Sequence, residues 1–489
     1  MPVHDDSKKA EKRMTSSTIA EREAAGRAAR EHSKRSSHRA VGDLDRDPVA
    51  LLRKSSEGRV QRLVPLRYGR MAVSPFTFFR GTAIIQAHDL SKVQDTGIVM
   101  PICGDGHLMN FGGFATPERQ LAFDLNDFDE VAYGPWEWDL KRLTASFVVA
   151  ARHMRLSRST AEGLVTTVAT TYRDWMRTYA GYGTLDLWYD RITFERMIET
   201  AVSPEARRTL RRGMEKAASR THESMLEKMA ERIDGAWHIR DVPPGLFHMH
   251  GNNTLFAPED DGLTAGDWRP LIGSMYEDYL KTLTHDRRNL LRHFEPQDLV
   301  FKVVGVGSVG TRCLVMLHTD HLDKPLFLQI KEAGQSVVGQ YYKAPRHFRT
   351  ATGIRHHGER VVRGQRALQA VSDIFLGWTT GPLGRHFYVR QLRDMKLSAN
   401  IELFDNTLLE GYARICGWIM ARAHAKASGQ AIEISAYIGR GDQFAQALTG
   451  YACAYADQVE KDYEIFIKAC RNGDLEARTD EDMAADFRV

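Results

Sequence analysis

The 489-residue chain has few cysteines, no long apolar run and no charge bias beyond its first forty residues. Its five cysteines are odd in number and never form a C-x-x-C pair, so the sequence suggests neither a disulfide framework nor a zinc knuckle. No apolar stretch reaches the length of a membrane span, and no apolar segment with a cleavage site follows the start. We therefore expect a cytoplasmic protein with no membrane partner.

The net charge of +4 comes from residues 1–40, which carry ten Lys or Arg and six Asp or Glu. The remainder of the chain is balanced, which argues against a nucleic-acid partner. We predict a basic, disordered tail over residues 1–45, or a loosely held helix from about Ser17 to Ser33 within it. An acidic tail over 472–489 is expected to fray.

Between these tails the residue pattern changes from helix to strand and back. Helical periodicity dominates residues 46–295, strand-like runs dominate 296–395, and helical periodicity returns over 396–471. The sequence therefore predicts an α+β fold, with a large helical lobe and a small antiparallel β lobe. The C-terminal helices are expected to pack on the helical lobe.

Two polar loops stand out between strand-like runs at Ile98–Cys103 and Gln120–Leu125. Residues able to bind a metal or move a proton concentrate there: Asp105, His107, Asn110, Asp124, Asp127 and Asp129. Asp and Asn are also turn formers, so either loop alone is more simply structural. Together they suit phosphoryl transfer, in which an Asp takes the acceptor proton while Asn and Asp oxygens hold magnesium. We predict Asp105 as the base, and Asn110 and Asp127 as magnesium ligands.

The same loops resemble a known superfamily. Gly104-Asp105-Gly106-His107-Leu108-Met109-Asn110 and Asp127-Phe128-Asp129 are similar to the G-D-x-H-x-x-N and D-F-D loops of aminoglycoside phosphotransferases and other protein-kinase-like proteins. The resemblance implies ATP and Mg²⁺ as cofactors, a further metal-loop carboxylate at Asp129 and a structural Asp139. Cys103 departs from the His that such kinases often have, which leaves the support of the catalytic loop open.

Longer segments resemble an uncharacterised bacterial family, domain of unknown function 2252. The similar segments are RYGRM from Arg67, SPFTFFRG from Ser74, FDLNDFDE from Phe123 and GPWEWDLKRL from Gly134. This resemblance covers most of the chain after the first forty residues, and it implies nothing about the substrate.

A glycine-rich segment follows about two hundred residues later, with Gly305, Gly307 and Gly310 in a G-x-G-x-x-G pattern. A dinucleotide-binding fold needs a helix after the third glycine, whereas Thr311–Leu317 is strand-like. Strand, glycine-rich turn and strand is instead the hairpin that covers ATP phosphates in kinases. We therefore predict nucleotide binding by this hairpin, including Ser308.

The strand PLFLQIKEA carries Lys331 in a Gln-Ile-Lys sequence that resembles the kinase V-A-I-K strand. A lone lysine in a strand usually faces solvent, but this one lies at the expected distance from a glycine-rich hairpin. We predict that Lys331 binds phosphates. Glu359, on a helix expected from about Ile354 to Ile374, is its candidate partner, and Glu332 is nearer in sequence.

The motifs occur in a rotated order, because the catalytic and metal loops precede the glycine-rich hairpin. Rearranged chain order is tolerated when the ends of a compact fold lie close together. We therefore interpret the fold as a circularly permuted, protein-kinase-like, two-lobed fold. Leu408–Ser428 resembles the core helix before the catalytic loop, and Phe76–Leu90 is a competing candidate.

These features predict an ATP- and magnesium-dependent phosphotransferase for an unidentified, small-molecule acceptor. A nucleotide-binding pseudokinase, or a protein that transfers AMP, remains open on the same fold. A two-metal phosphoesterase is a third hypothesis, since Asp105, His107 and His250-Gly251-Asn252 are similar to such sites. This third hypothesis assigns no role to Lys331. We interpret His248 and His250 as ordinary loop histidines.

Overall fold

Helices carry most of the chain that the computed structural model describes, which is residues 17–201, 203–219, 222–249, 268–345, 353–392 and 397–487. In chain order the helices are α1 Ile19–His32, α2 Pro48–Ser56, α3 Val64–Met71, α4 Pro75–Arg80, α5 Ala83–Leu90, α6 Glu137–His153, α7 Arg158–Tyr179, α8 Thr184–Tyr189, α9 Phe194–Thr200, α10 Pro204–Ala218, α11 His222–Met229, α12 Trp268–Lys281, α13 His285–Leu291, α14 Val337–Tyr341, α15 His357–Leu368, α16 Asn406–Ser428, α17 Ala431–Ile438, α18 Gln443–Arg471 and α19 Asp480–Ala485. Within the described ranges, no helix combines the length and apolar character that crossing a membrane requires.

The strands form small antiparallel sheets. They are β1 Val99–Ile102, β2 Phe111–Ala115, β3 Leu121–Leu125, β4 Ala132–Pro135, β5 Ala230–Ile233, β6 Ala236–Ile239, β7 Leu246–Phe247, β8 Glu295–Lys302, β9 Cys313–Thr319, β10 Pro325–Glu332, β11 Gly377–Thr380, β12 His386–Gln391 and β13 Leu397–Ser398. The largest sheet has the order β11-β12-β10-β9-β8-β7, and the smaller ones are β13-β2-β3, β1-β4 and β5-β6. The predicted α+β class is confirmed.

Strand β9 lies near the middle of the largest sheet and is buried along its length. On one face Met316 packs with Tyr279 of α12, and on the other Val315 packs with Leu226 of α11. A strand covered on both faces needs apolar residues at successive positions, which is the continuous run that the sequence shows here.

The boundary predicted at residue 296 needs correction. The register of β7 on β8 pairs Leu246 with Lys302 and Phe247 with Phe301, and α12 packs against β11. The chain from α11 to α13 therefore belongs with the sheet. The sequence of this part is dense in helix formers, which obscures the three short strands β5 to β7.

Helix α6 forms the centre of the helical part. Every residue from Glu137 to Ala151 is buried, and the helix packs against α4, α7 and α18. The continuous helix predicted over Phe76–Leu90 is instead divided, because α4 ends at Arg80 and α5 begins at Ala83. Gly81 lies at the break, and its carbonyl oxygen accepts a hydrogen bond from Arg67 Nη2 at 3.0 Å.

The prediction of a disordered tail over residues 1–45 is corrected for the described part of that range. Helix α1 begins at a capping box formed by Thr18 and Glu21 and lies against α17. Arg22 Nε is 2.7 Å from Glu433 Oε1, so the helix is held more firmly than predicted. Residues 1–16 lie outside the described residues.

The acidic C-terminal tail also differs from its prediction. Helix α19 packs on α3, where Arg70 Nη2 is 2.5 Å from Asp480 Oδ1. Met483 is buried in the same core cluster as Phe247 and Leu66. Composition alone predicts fraying here because it does not reveal that Met483 and Phe487 are buried in the core and that Asp480 pairs with Arg70.

Candidate active site

Strand β1 leads into the loop that carries the predicted base. Asp139, in the first turn of α6, accepts hydrogen bonds from the backbone N–H groups of Cys103 at 2.6 Å and Gly104 at 2.8 Å. His424 Nε2 of α16 lies 3.2 Å from the same carboxylate, and Tyr172 contacts the other ring nitrogen. The structural role that the resemblance implied for Asp139 is confirmed, because this buried carboxylate fixes the start of the loop.

Asp105 projects into a cleft, where its side chain is 25% exposed. Its Oδ1 accepts a hydrogen bond from Arg142 Nε at 2.7 Å, and its Oδ2 is 3.8 Å from His107 Nε2. Burial raises the pKa of Asp105 to about 7, and Arg142 opposes part of that rise. A carboxylate with such a pKa can take a proton near neutral pH.

Arg142 is held in place on its other sides. Its Nη1 donates to Gln86 Oε1 at 3.0 Å and its Nη2 donates to the Phe79 carbonyl at 2.7 Å. Its guanidinium carbon lies 3.9 Å from the centre of the Phe79 ring. No motif in the sequence indicates a role for Arg142, and only the fold reveals that it orients Asp105.

Asn110 connects the catalytic loop to the metal loop. Its Nδ2 donates to the carbonyl oxygens of Asp105 at 3.1 Å and Asp127 at 3.0 Å. Its backbone carbonyl also accepts from Asn126 N at 3.0 Å, beside the β2 and β3 hairpin. With the amide nitrogen engaged in this way, the amide oxygen is the atom suited to a cation.

The two carboxylates of the metal loop have different surroundings. The Asp127 side chain is 44% exposed and lines the cleft. Asp129 contacts Lys331 Nζ directly, accepts a hydrogen bond from Tyr388 Oη at 2.8 Å and lies 3.4 Å from Ser308 Oγ. Asp127 is therefore the more exposed carboxylate of the loop, whereas Asp129 is surrounded by protein donors.

Lys331 lies in the same cleft as Asp127, as the sequence predicts. Its Nζ is 3.7 Å from Asp127 Oδ2 and 3.1 Å from Ser308 Oγ, and it pairs with Asp129. Burial alone would lower the pKa of Lys331, but Asp127 and Asp129 raise that pKa well above its ordinary value. The ammonium group is therefore charged and ready for an anionic ligand.

The predicted partner of Lys331 is wrong. Glu359 pairs with Arg363 on its own helix at 2.5 Å, and Glu332 pairs with Arg312 at 3.1 Å. The residue of α15 that reaches the metal loop is Arg360, whose Nη2 donates to the Asp129 carbonyl at 2.8 Å. The helix begins at His357, so Glu359 lies in its first turn and is engaged at the surface.

The glycine-rich hairpin closes the cleft from the β side. Gly305 and Gly310 have φ of +63° and +83°, which favours glycine. Gly307 packs against the connection between α4 and α5. A Cβ added at Gly307 would be 3.1 Å from the Arg80 carbonyl oxygen. Ser308 contacts Lys331, so the predicted hairpin residues and the lysine meet in space.

Two arginines outside the cleft fix this hairpin. Arg70 Nη1 donates to the Gly305 carbonyl at 2.8 Å, and Arg59 Nη1 donates to the Val309 carbonyl at 2.6 Å. These bonds attach the hairpin to α3 and to the end of α2. The hairpin is therefore held in position by side chains that lie outside the cleft.

The cleft has a volume of about 560 Å³ and is bounded by both halves of the site. Its charged lining residues, among those described, are Arg80, Asp105, Arg119, Asp127, Lys302, Lys331, Asp373 and Arg390. Five cationic side chains against three carboxylates favour an anionic ligand.

The profile of one known protein family matches a segment of the chain that contains this whole site. The profile of a family described as uncharacterised protein conserved in bacteria, DUF2252, matches residues 59–469. The chain belongs to the DUF2252 family. No curated protein and no solved structure matches the chain. All the described residues that line the cleft lie within the segment that the DUF2252 profile matches.

Some residues of this DUF2252 site carried no role in the sequence prediction. Arg80, at the end of the segment SPFTFFRG, and Arg390, in HFYVRQL, both line the cleft. Arg390 Nε donates to Gln329 Oε1 at 2.9 Å, and its Nη1 donates to the Asn126 carbonyl at 3.0 Å. In the sequence, each of these two arginines stands within a segment rich in apolar residues, and this placement is the one indication of a role that the sequence offers.

Of the histidines named in the phosphoesterase hypothesis, His107 lines this cleft, whereas His248, the other loop histidine noted in the sequence, is not among the residues that line it. His248 Nδ1 is 2.8 Å from Asp241 Oδ1, and its Nε2 is 3.1 Å from Asp298 Oδ2. His238 also brings a ring nitrogen within 4.8 Å of the His248 and Asp298 atoms. We interpret His248 as an ion-paired histidine, because both of its nitrogens contact carboxylates. His250 lies outside the described residues.

Proposed function

We propose that this protein is an ATP- and magnesium-dependent phosphotransferase that acts on a small-molecule acceptor in the cytoplasm. The observation that carries the proposal is the convergence of two chain segments about two hundred residues apart. Lys331 and the glycine-rich hairpin share one cleft with Asp105 and Asp127, and Lys331 Nζ is 3.7 Å from Asp127 Oδ2. Phosphoryl transfer needs these groups around a single nucleotide.

The donor set fits magnesium. Asp127 offers an open carboxylate and Asn110 an amide oxygen, and these are hard oxygen ligands that Mg²⁺ accepts while it keeps several waters. When bound, the ion would neutralise charge on the nucleotide phosphates. Asp129 is better assigned as the counter-ion of Lys331, since Lys331, Tyr388 and Ser308 already surround it.

The remaining side chains act on the nucleotide and the acceptor. Lys331 binds phosphate oxygens, and the N–H groups of the hairpin around Ser308 cover them. Asp105 takes the proton of the acceptor hydroxyl, and Arg142 holds its carboxylate in position at 2.7 Å. The pKa of about 7 at Asp105 suits a base that works near neutral pH.

The sheet order supports a circularly permuted, protein-kinase-like fold. The strands β8, β9 and β10 follow one another around the hairpin and Lys331, helix α15 comes next, and β12 then inserts between β10 and β11. Helix α16 supports the catalytic loop through Tyr412 Oη, which donates to the Leu108 carbonyl at 2.6 Å. This contact favours Leu408–Ser428 over Phe76–Leu90 as the core helix.

The size of the cleft supports a small acceptor. A cleft of about 560 Å³ lies within the usual range for small-molecule sites.

Two isosteric substitutions test the assigned roles. Asp127→Asn should remove the magnesium-dependent part of the ATP affinity, because a metal ligand already acts in the bound ground state. Asp105→Asn should keep the ATP affinity within about twofold and lower turnover by about a hundredfold to ten-thousandfold, since a base acts only as the proton departs. Calorimetry measures the affinity, and release of labelled phosphate or AMP from ATP measures turnover and identifies the transferred group.

Asp323→Asn, on the exposed turn between β9 and β10, is the control and should change neither quantity. Equal turnover in Asp105→Asn and the unmodified protein would contradict the assignment of the base. If magnesium strengthens ATP binding as much in Asp127→Asn as in the unmodified protein, the assignment of the metal ligand is contradicted.

A further inference from the structure

Arg80 lies at the junction of the two halves of the cleft. It is the last residue of α4, and the glycine-rich hairpin rests on it at Gly307. Arg80 lines the same cleft as Asp105, whose charge acts on the guanidinium group. Arg80 therefore shares the cleft with both the hairpin assigned to the phosphates and the carboxylate assigned as the base.

The guanidinium group makes no hydrogen bond or ion pair within the described part of the protein. Its Nε is buried and has no hydrogen-bond acceptor, and no described side chain pairs with the group. A buried donor without an acceptor costs about 1–3 kcal/mol. Burial lowers the pKa of Arg80, but an arginine stays charged in proteins. A ligand with anionic oxygens would supply the missing acceptors.

The backbone on both sides of Arg80 is fixed by two other arginines. Arg142 Nη2 donates to the Phe79 carbonyl at 2.7 Å, and Arg67 Nη2 donates to the Gly81 carbonyl at 3.0 Å. Both of these arginines are buried. Their bonds hold the main chain at Arg80 in place before any ligand arrives, which is the preorganisation that charge stabilisation requires.

We propose that Arg80 binds the γ-phosphoryl group of ATP and is a catalytic residue of its transfer, an inference that rests on the proposed function. The acceptor oxygen forms a bond to the γ-phosphorus while the bond from that phosphorus to the bridging oxygen breaks. The electron pair of the broken bond remains with ADP, and Asp105 takes the acceptor proton. Arg80 donates hydrogen bonds to the non-bridging oxygens of the group in transit.

Arg142 is the nearest alternative for this role, but its nitrogens are already engaged. They donate to Asp105, Gln86 and Phe79. The distinction gives Arg142 a positioning role and Arg80 a direct one. It also predicts that Arg80 discriminates ATP from ADP, because only ATP has a γ-phosphate.

The test compares Arg80→Met with Arg70→Met in the full-length protein. Calorimetry at millimolar magnesium measures binding of ADP and of a non-hydrolysable ATP analogue. Arg80→Met should lower the affinity for the analogue about tenfold or more and leave the affinity for ADP within about twofold. The substitution removes a hydrogen bond to the charged γ-phosphate, and ADP has no γ-phosphate. Arg70→Met removes a bond that holds the hairpin from outside the cleft, so it should change the affinities for both ligands by the same factor.

Three results would overturn the inference. Equal losses for both ligands in Arg80→Met would show that Arg80 only supports the hairpin. Unchanged affinities would show that it does not contact the nucleotide. If the unmodified protein binds neither ligand, the proposed function fails and this inference fails with it. Circular dichroism of Arg80→Met should match the unmodified protein, since no hydrogen bond or ion pair of the side chain to a described residue is lost.

Discussion

The carboxylates near the cleft differ in what surrounds them, and the roles that we propose for them follow from these differences. Asp105 has one arginine partner and a raised pKa, which suits proton transfer. Asp127 is open to the cleft, which suits a metal. Asp139 is buried and bound to backbone N–H groups, so it maintains the loop. In the proposed function, one residue type therefore provides a base, a metal ligand and a structural anchor within 35 positions.

At the same scale, His248 predicts a pH-dependent stability. The hydrogen bond to Asp298 and the charges of Asp298 and Asp241 raise the pKa of His248 to about 9. Because the folded protein binds this proton more tightly, the stabilisation is complete below about pH 6.5 and is lost as the pH rises through about 9. His248→Gln should therefore lower the free energy of unfolding by about 1–2 kcal/mol at pH 6 and by much less at pH 10.

Urea unfolding at both pH values measures this difference. His321→Gln, at an exposed position on the turn after β9, is the matched control and should show no such trend. A cost for His248→Gln that stays constant between pH 6 and pH 10 would contradict the ion-paired interpretation.

The residue types of the site could be predicted from the sequence, but their partners could not. Asp105, Asn110, Asp127, the hairpin glycines and Lys331 were identified by local motifs, and they converge. The pairing of Lys331 with Asp129 instead of Glu359 depends on which turn of α15 faces the cleft, and a local motif does not contain that information. Arg80 and Arg142 were missed because their roles depend on packing between distant segments.

At the scale of elements, a buried ion pair connects the metal-loop strand to the core helix. Arg422 Nη2 of α16 lies 2.7 and 2.8 Å from the two oxygens of Asp124 on β3, and it also bonds to the Leu368 carbonyl at the end of α15. The backbone N–H groups of Leu125 and Ala370 donate to the same carboxylate. Three elements around the cleft therefore meet at one carboxylate.

Removal of this carboxylate should be costly. Asp124→Asn leaves Arg422 buried with an incomplete partner, so we expect the free energy of unfolding to fall by about 3–5 kcal/mol. Glu410→Gln, which breaks an exposed pair with Arg414 on the same helix, should cost less than about 1 kcal/mol. Chemical denaturation measures both variants. A cost for Asp124→Asn no larger than that of the control would show that the pair does not hold these elements together.

The types of the elements were largely predictable, and their limits and neighbours were not. The buried strands β9 and β10 appear in the sequence as apolar runs, and α16 appears as a long helix. The break at Gly81 and the short strand β7 depend on tertiary hydrogen bonds, such as that from Arg67 to Gly81. These bonds leave little trace in local periodicity.

At the scale of the whole molecule, the structure brings together segments that the chain order separates. The catalytic and metal loops come first, the glycine-rich hairpin and Lys331 follow, and α16 returns to support the first loop. Helix α1 and helix α19 lie against this body, although their composition predicted tails. The DUF2252 profile covers residues 59–469 and so includes every segment of the cleft.

The most direct test of the central claim is calorimetric titration of the unmodified protein with ATP, with and without millimolar magnesium. If the cleft serves one nucleotide, magnesium should strengthen ATP binding by at least about tenfold, because Asp127 and Asn110 would hold an ion that neutralises phosphate charge. Lys331→Met should weaken binding under both conditions, since in the proposed complex its charge would contact the phosphates directly. Absence of measurable ATP binding at millimolar magnesium would contradict the account, because these residues would then not serve a nucleotide.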